Sequence, residues 1–172
     1  MSKQSNWSDQ VHAILREQNI RQIAYVPDTG LKRLIELVRA DKQMRAVPLT
    51  TEEEGIALAT GAWLAGERSA LFLQSSGVGN CINMLGMAIE CRIPLPMLVT
   101  MRGQWGEFNP WQLPMAQATE PVLSAMGVIV RPVSDVDDVA ATFAAASRMA
   151  FNTNRVVAVQ VAQRVVGTKE FK

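Results

Sequence analysis

Residues 50–61 read TTEEEGIALATG, and this stretch decides how the rest of the chain is interpreted. Three adjacent carboxylates, Glu52 to Glu54, open a run of small and apolar residues that predicts a buried helix with little exposed face. Glu53 and Glu54 have an ordinary structural explanation, because acidic groups in a first helical turn interact favourably with the helix dipole. Glu52 sits at the junction of strand and helix, where an α/β sheet presents its functional groups. It is therefore the candidate for holding or passing a proton.

On both sides of this stretch, apolar runs alternate with segments in which apolar residues recur at helical spacing. The apolar runs predict strands at residues 23–26, 47–49, 70–73, 94–99, 128–130 and 156–161. The helical spacing predicts helices at residues 6–18, with Ser8 as N-cap, and at 31–38, 55–65, 81–91, 118–126 and 136–149. Residues 101–117 predict a long loop, and residues 163–172 a polar tail. The pattern predicts an α/β fold in a single domain spanning residues 1–172: a doubly wound, mostly parallel sheet with helices on both faces.

The bulk composition argues against several classes of function. Hydrophobic residues make up 48% and charged residues 19% of the 172, which is typical of a well-buried globular domain. The net charge of +1 gives no electrostatic case for nucleic acid or an anionic membrane surface as a partner. No segment supplies the run of about 18 apolar residues that a membrane span needs, and the polar N-terminus has no signal-peptide core. We therefore expect a cytoplasmic protein.

Three minor features carry no catalytic prediction. The spacing of Cys81 and Cys91 matches no zinc pattern, so we expect buried free thiols and no metal site in this chain. His12 lies off the apolar stripe of its helix and is expected to be exposed. The helix after Glu52 is so rich in small and apolar residues that we expect a subunit interface over it.

The turn at residues 75–80 reads SSGVGN and links a strand to a helix. Glycine allows a ligand to approach the backbone closely, and backbone N–H groups at a helix start attract anions. The turn is not a P-loop, because no Gly-Lys-Ser/Thr follows, and it lacks the third glycine of the dinucleotide fingerprint. A tight structural turn explains these residues equally well.

Two further segments follow strands. The sequence PDTG at 27–30 turns a strand into a helix, and Asp28 or Thr29 can cap that helix. Residues 101–112, MRGQWGEFNPWQ, combine Arg102 with tryptophans that suit a lid, a pocket wall or an interface. Arg102 can clamp a carboxylate, sulfonate or phosphonate, or it is a plain surface arginine. Because a parallel sheet brings its strand ends to one edge, we expect all these segments to converge there.

Together these residues resemble the pyrimidine-binding domain of thiamine-diphosphate enzymes, and most closely the α subunits of sulfopyruvate decarboxylases and the corresponding part of phosphonopyruvate decarboxylases. The resemblance spans residues 11–161 and rests on VPD at 26–28, Glu52 with GIALATG at 55–61, QSSGVGN at 74–80, IPLP at 93–96, Arg102-Gly103 and Gln112. Wider relatives carry a glutamate nine positions before the glycine that corresponds to Gly61, and 61 − 52 = 9. The resemblance therefore selects Glu52 over its two acidic neighbours.

The resemblance implies a mechanism that suits Glu52. Its carboxylate would hydrogen-bond N1′ of the aminopyrimidine of thiamine diphosphate and favour the imino tautomer, which deprotonates the thiazolium ring. The cofactor then attacks a 2-oxo acid and serves as electron sink while carbon dioxide leaves. The implied cofactor-binding residues are Gly77, Val78, Gly79 and Asn80 beside Glu52, and the implied substrate residues are Asp28, Thr29, Arg102, Trp105 and Gln112.

An absence is equally informative. Such enzymes hold Mg²⁺ and the diphosphate with a separate domain that carries a Gly-Asp-Gly motif, and no Gly-Asp-Gly occurs in this sequence. The resemblance therefore implies half an active site, which a β subunit holding Mg²⁺ completes within a hetero-oligomer such as α2β2 or larger. The chain alone is expected to be inactive.

The substrate expectation departs from the named decarboxylases. The loop carrying Trp105, Phe108 and Trp111 is more aromatic than a strongly anionic substrate requires, and no basic cluster accompanies Arg102. We therefore expect an aromatic or otherwise bulky 2-oxo acid. Three alternatives stay open: a C–C lyase or carboligase subunit with the same cofactor, a nucleotide-binding α/β module without chemistry that uses the Gly77 loop, and a non-catalytic interaction subunit.

Overall fold

Continuously apolar strands form the centre of the fold. The computed structural model describes residues 4–168 of the chain, with side chains from Trp7 onward. Within these residues the strands are β1 (Ile20–Tyr25), β2 (Arg45–Pro48), β3 (Arg68–Gln74), β4 (Leu95–Thr100), β5 (Ile129–Val133) and β6 (Val156–Val161). The α-helices are α1 (Gln4–Glu17), α2 (Lys32–Ala40), α3 (Glu52–Leu64), α4 (Val78–Glu90), α5 (Leu113–Ala125), α6 (Val139–Thr153) and α7 (Gln163–Val166).

The strands form one sheet in the order β2-β1-β3-β4-β6-β5, and every pair is parallel. The β4 and β6 strands are buried along their whole length, which explains why their sequences are apolar rather than alternating. One face of the sheet packs on α1, α2 and α6, and the other on α3, α4 and α5, so the core has two layers. The predicted α/β fold, a doubly wound parallel sheet covered on both faces, is confirmed.

Several predicted element boundaries are wrong. Helix α1 begins at Gln4, so Ser8 lies inside the helix and is buried rather than capping it. Helix α4 begins at Val78, three residues earlier than predicted, because the turn before it winds directly into the helix. The predicted loop at 101–117 ends at Gln112, and α5 follows with Pro114 in its first turn, where a proline costs no hydrogen bond. Helix α6 is shifted toward its C-terminal side, starting at Val139 and ending at Thr153.

The predicted polar tail at 163–172 is also wrong in its first part. Residues 163–166 form α7, and Gln163 and Val165 are buried. The last four residues of that predicted tail lie outside the described residues.

Two predictions about single side chains fail. His12 is partly buried, and its Nε2 lies 3.0 Å from Oδ2 of Asp41, because the end of α2 packs beside α1. Cys81 is buried as predicted, whereas Cys91 is exposed because it lies just after the end of α4. Neither cysteine forms a disulfide. No helix within residues 4–168 is both long enough and apolar enough to cross a membrane.

Candidate active site

Glu52 is the first residue of α3, four residues after β2 ends. The helix start is fixed by Glu54, whose Oε2 accepts hydrogen bonds from the backbone N of Thr50 at 2.9 Å and of Thr51 at 3.4 Å. This capping by the Glu54 side chain satisfies backbone N–H groups that precede the helix and sets the direction of its first turn. Of the three carboxylates, Glu52 alone is buried, at 8% exposure, while Glu53 and Glu54 face solvent. The fold thus separates one glutamate from two ordinary first-turn acids.

The buried carboxylate of Glu52 is held by the start of α4. The Nδ2 atom of Asn80 donates a hydrogen bond of 2.7 Å to Oε2 of Glu52. The other oxygen lies against Gly77, and a Cβ at that position would overlap Oε1, Cδ and Cγ of Glu52. Only a residue without a side chain leaves this space to the carboxylate. The first turn of α4 therefore orients one oxygen through an amide and accommodates the other through a glycine.

Cys81 lies one helical turn beyond Gly77, and its thiol points at the Gly77 carbonyl oxygen at 3.5 Å. Burial and, to a smaller extent, the nearby charges of Glu52 and Glu53 together raise the pKa of the Cys81 thiol from 9.0 to about 12. The thiol therefore stays protonated at neutral pH and cannot serve as a nucleophile there.

Asp28 ties together the carboxyl ends of three neighbouring strands. Its Oδ1 accepts a hydrogen bond of 2.8 Å from Nε2 of Gln74, at the end of β3. Its Oδ2 accepts from Oγ1 of Thr100, at the end of β4, at 2.8 Å and from the backbone N of Gly30 at 3.1 Å. Thr29 beside it is exposed. No role is predicted from the sequence for Gln74 or Thr100, although a polar residue that closes an apolar strand is a signal that points to this edge.

Arg102 is buried and paired within its own loop. Its Nε donates to Oε2 of Glu107 at 2.7 Å, its Nη2 donates to Oε1, and the two side chains are 7% and 2% exposed. The Arg102 hydrogen bonds hold the pKa of Glu107 down at about 2, and the same pairing raises the pKa of Arg102. The Arg102 guanidinium therefore binds a carboxylate, as predicted from its residue type. That carboxylate belongs to Glu107 of the same loop, a pairing that the sequence does not predict.

The aromatic residues of the loop face outward. Trp105 is 57% and Trp111 is 85% exposed, and Phe108 is exposed as well. The guanidinium of Arg164 lies over the Trp105 ring, 4.6 Å from its centroid. Gln112 is partly buried, and its Oε1 is a buried acceptor without a hydrogen-bond partner among the described residues. These side chains suit a surface that another molecule covers.

The segment 74–80 joins three of the predicted site residues: Asp28, Arg102 and Glu52. Gln74 bonds Asp28, Ser75 Oγ accepts a hydrogen bond of 3.0 Å from the backbone N of Arg102, and Asn80 bonds Glu52. Val78 is the exception in this segment, because its side chain is fully buried in the core and only its backbone can meet a ligand. The predicted convergence of the strand ends on one edge is confirmed in the geometry.

A cavity of about 400 Å³ adjoins this edge, lined by Pro27, Asp28, Thr29, Lys32, Ile35, Glu36 and Arg39. Two of its lining residues are basic and two are acidic, so it carries no strong preference for one sign of charge. Within the described residues, no cluster of three or more His, Cys, Asp or Glu could hold a metal ion.

Comparisons with known proteins agree with this geometry. A family model described as "Thiamine pyrophosphate enzyme, N-terminal TPP binding domain" matches residues 5–107. Sulfopyruvate decarboxylase subunit alpha of Methanothermobacter thermautotrophicus is 33% identical over 153 residues, which is 88% of this chain and 93% of that protein. Phosphonopyruvate decarboxylase of Streptomyces viridochromogenes is 34% identical over 120 residues, which is 69% of this chain but 28% of that protein.

A solved structure shows the same fold. The chain superimposes on 2-oxoglutarate:ferredoxin oxidoreductase from Magnetococcus marinus with a TM-score of 0.76 and 20% identity, over 93% of this chain and 29% of that one. The family match covers more than half of the chain and includes Glu52, Gly77, Asn80 and Arg102. This chain belongs to the thiamine pyrophosphate enzymes, through their N-terminal TPP-binding domain.

Proposed function

We propose that this chain is the α subunit of a two-subunit, thiamine-diphosphate-dependent 2-oxo-acid decarboxylase, in which Glu52 is the catalytic carboxylate. The observation that carries the proposal is the buried Glu52 side chain, bonded to Asn80 on one oxygen and lying against Gly77 with the other. Membership of the thiamine pyrophosphate enzymes and the similarity to sulfopyruvate decarboxylase α subunits support it.

The residues at this edge fit an aminopyrimidine. A buried carboxylate with one oxygen already oriented can accept a hydrogen bond from a ring N–H with the other. The glycine at 77 leaves a surface without side chain beside that carboxylate, and any Cβ there would displace it. Glu52, Gly77 and Asn80, with the backbone of Val78 and Gly79, would hold the pyrimidine ring.

Thiamine diphosphate, when bound, supplies the electron sink that makes loss of carbon dioxide from a 2-oxo acid possible. The chain's own residues would position the pyrimidine ring of the cofactor and control the proton on that ring. Glu52 would hold or pass a proton at a nitrogen of the pyrimidine ring, and a positioned carboxylate contributes roughly 10²–10⁴-fold in such transfers. Asn80 keeps the carboxylate in one orientation, and Asp28 keeps the ends of β1, β3 and β4 in register beside it.

A β subunit would supply the rest of the site, including Mg²⁺ and the groups that hold the diphosphate. The absence of Gly-Asp-Gly from the sequence supports this division. So does the outer face of α3, where Leu64 is 79% exposed beside the exposed small residues Ala57, Gly61 and Ala65, as expected of a helix that a second subunit covers. We propose a hetero-oligomer such as α2β2 or larger. The absence of disulfides supports a location in the reducing cytoplasm.

The substrate that we propose is a 2-oxo acid with an aromatic or otherwise bulky side chain. The guanidinium of Arg102, the cation predicted to bind an anionic group, is already paired with Glu107. The exposed rings of Trp105, Phe108 and Trp111 offer an apolar surface instead. The similarity to sulfopyruvate decarboxylase α subunits favours the second candidate, a substrate with an additional anionic group such as sulfopyruvate.

The test is reconstitution with the partner. The chain is co-expressed with the β subunit that carries Gly-Asp-Gly, and carbon dioxide release is measured with thiamine diphosphate and Mg²⁺. The 2-oxo-acid panel contains pyruvate, benzoylformate, phenylpyruvate, sulfopyruvate and phosphonopyruvate. Release from an aromatic 2-oxo acid supports the proposal in full, whereas preference for sulfopyruvate or phosphonopyruvate rejects the aromatic substrate and keeps the reaction.

The same complex separates the alternative reactions. If adding an acceptor aldehyde diverts product from the free aldehyde to a hydroxyketone, the chain is a carboligase subunit. Tight nucleotide binding without any release of carbon dioxide would favour the binding module, and a complex that neither binds a nucleotide nor turns over any panel member would favour an interaction subunit.

A further inference from the structure

The strongest feature outside the groups assigned so far is Gln163, the first residue of α7. Its side chain is fully buried, and every polar group on it is bonded to the loop 102–109. Its Oε1 accepts hydrogen bonds of 2.8 Å from the backbone N of both Gln104 and Trp105. Its Nε2 donates to Oε2 of Glu107 at 2.8 Å. Its own backbone N donates to Oε1 of Gln104 at 3.0 Å.

These bonds complete the surroundings of the buried ion pair. Besides Arg102 and Gln163, the Glu107 carboxylate accepts from the backbone N of Gly103 at 3.2 Å and of Asn109 at 3.1 Å. A buried ion pair is stable only when its remaining hydrogen-bonding capacity is satisfied, and the amide of Gln163 does so from outside the loop. Residue 163 lies well beyond the segment that matches the family model, which ends at 107.

The loop that Gln163 holds begins at the candidate active site. Arg102 opens it, and its backbone N is bonded to Ser75, two residues before Gly77. Gly103 then adopts a left-handed conformation with φ of +74°, and a Cβ there would lie 2.6 Å from the Gln112 carbonyl oxygen. The chain path is therefore fixed at its start by the turn beside Glu52 and in its middle by Gln163.

We propose that Gln163 is a positioning residue, which holds the loop 102–109 in the one arrangement that presents Trp105 and Phe108 to the substrate. The inference rests on the proposed function, because it requires the loop to face the 2-oxo acid. Gln163 touches neither Glu52 nor Asn80 and acts through the loop. Its loss should therefore weaken substrate binding while leaving proton handling by Glu52 in place.

The first test is Gln163→Ala in the complex with the β subunit. If the loop then holds its substrate-binding arrangement in about a tenth of the molecules, KM rises about tenfold, because apparent affinity scales with the competent fraction. We expect kcat to change less than about twofold, since Glu52 is untouched. The matched control is Gln18→Ala, which removes a partly buried glutamine that precedes β1 at the opposite edge of the sheet and whose Nε2 donates to the Ala144 carbonyl oxygen at 3.0 Å; its KM should equal that of the wild type.

A second variant gives a readout that a purely structural role would not change. Gln163→Glu keeps the acceptor for Gln104 and Trp105 but places a second carboxyl group against Glu107. At pH 8 the two carboxylates repel each other, and the KM of the variant should be about tenfold higher than that of the wild type. At pH 6 the introduced carboxyl group can take up a proton and donate a hydrogen bond to Glu107, so the ratio of variant to wild-type KM should fall toward about two. A ratio that is the same at both pH values would contradict a positioning role.

A third measurement does not depend on turnover. Trypsin cleaves after arginine, and we expect the buried ion pair of Arg102 to protect the following bond in the wild-type complex. Faster cleavage at Arg102 in Gln163→Ala, with no change in Gln18→Ala, supports the inference. Unchanged cleavage and unchanged KM in an active complex would overturn it and leave the proposed function intact. A wild-type complex that releases carbon dioxide from no 2-oxo acid would overturn the proposed function, and the substrate-facing part of this inference with it.

Discussion

The carboxylate of Glu52 occupies the space that a side chain at Gly77 would need. Gly77→Ala would therefore push the carboxylate away from its position. Because the overlapping atoms belong to one side chain that can turn aside, the cost in stability should stay within about 1–2 kcal/mol, whereas decarboxylation should fall about 100-fold. Steady-state turnover of the αβ complex and the denaturation midpoint of the same samples measure the two effects.

The control for this glycine is Gly86→Ala, farther along α4. A Cβ at Gly86 comes no closer than 3.6 Å to Cε of Met126, an ordinary van der Waals contact, and alanine is the better helix former, so stability should rise by about 0.5–1 kcal/mol with unchanged turnover. Equal losses of activity in the two variants would contradict a specific role for Gly77.

Asn80→Ala removes the hydrogen bond that orients Glu52 and leaves the carboxylate free to rotate. We expect kcat to fall about tenfold, which corresponds to roughly 1.4 kcal/mol, the scale of one hydrogen bond to a charged group. Asn83→Ala, an exposed asparagine on the same helix, should retain full kcat. Retention of wild-type kcat by Asn80→Ala would show that the fold orients Glu52 without this amide.

Glu107→Gln removes the charge that compensates the buried guanidinium of Arg102. Breaking a buried pair in this way costs about 3–5 kcal/mol, whereas Glu67→Gln, which breaks the exposed pair with Arg45, should cost below about 1 kcal/mol. Urea denaturation of the two variants measures the difference. Similar midpoints for both would mean that the Arg102–Glu107 pair is solvated in solution.

The same carboxylate predicts a direction for acid unfolding. The pKa of Glu107 is lowered from 4.5 to about 2, so its stabilising contribution is complete above pH 4.5 and is lost as the pH falls toward 2. The stability of Glu107→Gln should therefore depend less steeply on pH in this window than that of the wild type. Parallel curves would contradict the assignment.

Thiol labelling distinguishes the two cysteines. Burial raises the pKa of Cys81 from 9.0 to about 12, so almost no thiolate forms at pH 8, whereas Cys91 is exposed. Iodoacetamide at pH 8 should modify Cys91 in the native chain and both cysteines after unfolding, as mass spectrometry of the peptides will show. The stabilising contribution of protonated Cys81 is intact below pH 9.0 and is lost as the pH rises toward 12. Rapid native labelling of Cys81 would mean that α4 opens.

The sequence predicts the architecture well, because the strands are apolar and the elements alternate. Strand β6 is predicted to the residue, since nothing but a single glutamine interrupts its apolar run. The family resemblance points to Glu52, Gly77 and Asn80, and the fold brings Gly77 and Asn80 into contact with Glu52.

What the sequence does not predict depends on long-range pairing. Glu107 and Gln163 are 56 residues apart, and no local pattern indicates that they share a hydrogen bond. Gln163 follows the last strand in a polar segment, so the local pattern predicts a tail there. The local pattern also predicts a loop at the start of α5, because Pro114 resembles a loop residue, although a proline in the first turn suits a helix.

The central claim is that one buried carboxylate at the start of α3 controls the proton on the cofactor's pyrimidine. The most direct measurement is carbon dioxide release by the αβ complex carrying Glu52→Gln, with Glu53→Gln, its exposed neighbour, as the matched control. We predict that Glu52→Gln lowers kcat by about 10²–10⁴-fold with an unchanged fold, and that Glu53→Gln matches the wild type. Wild-type turnover by Glu52→Gln in a complex that still requires thiamine diphosphate would contradict the claim.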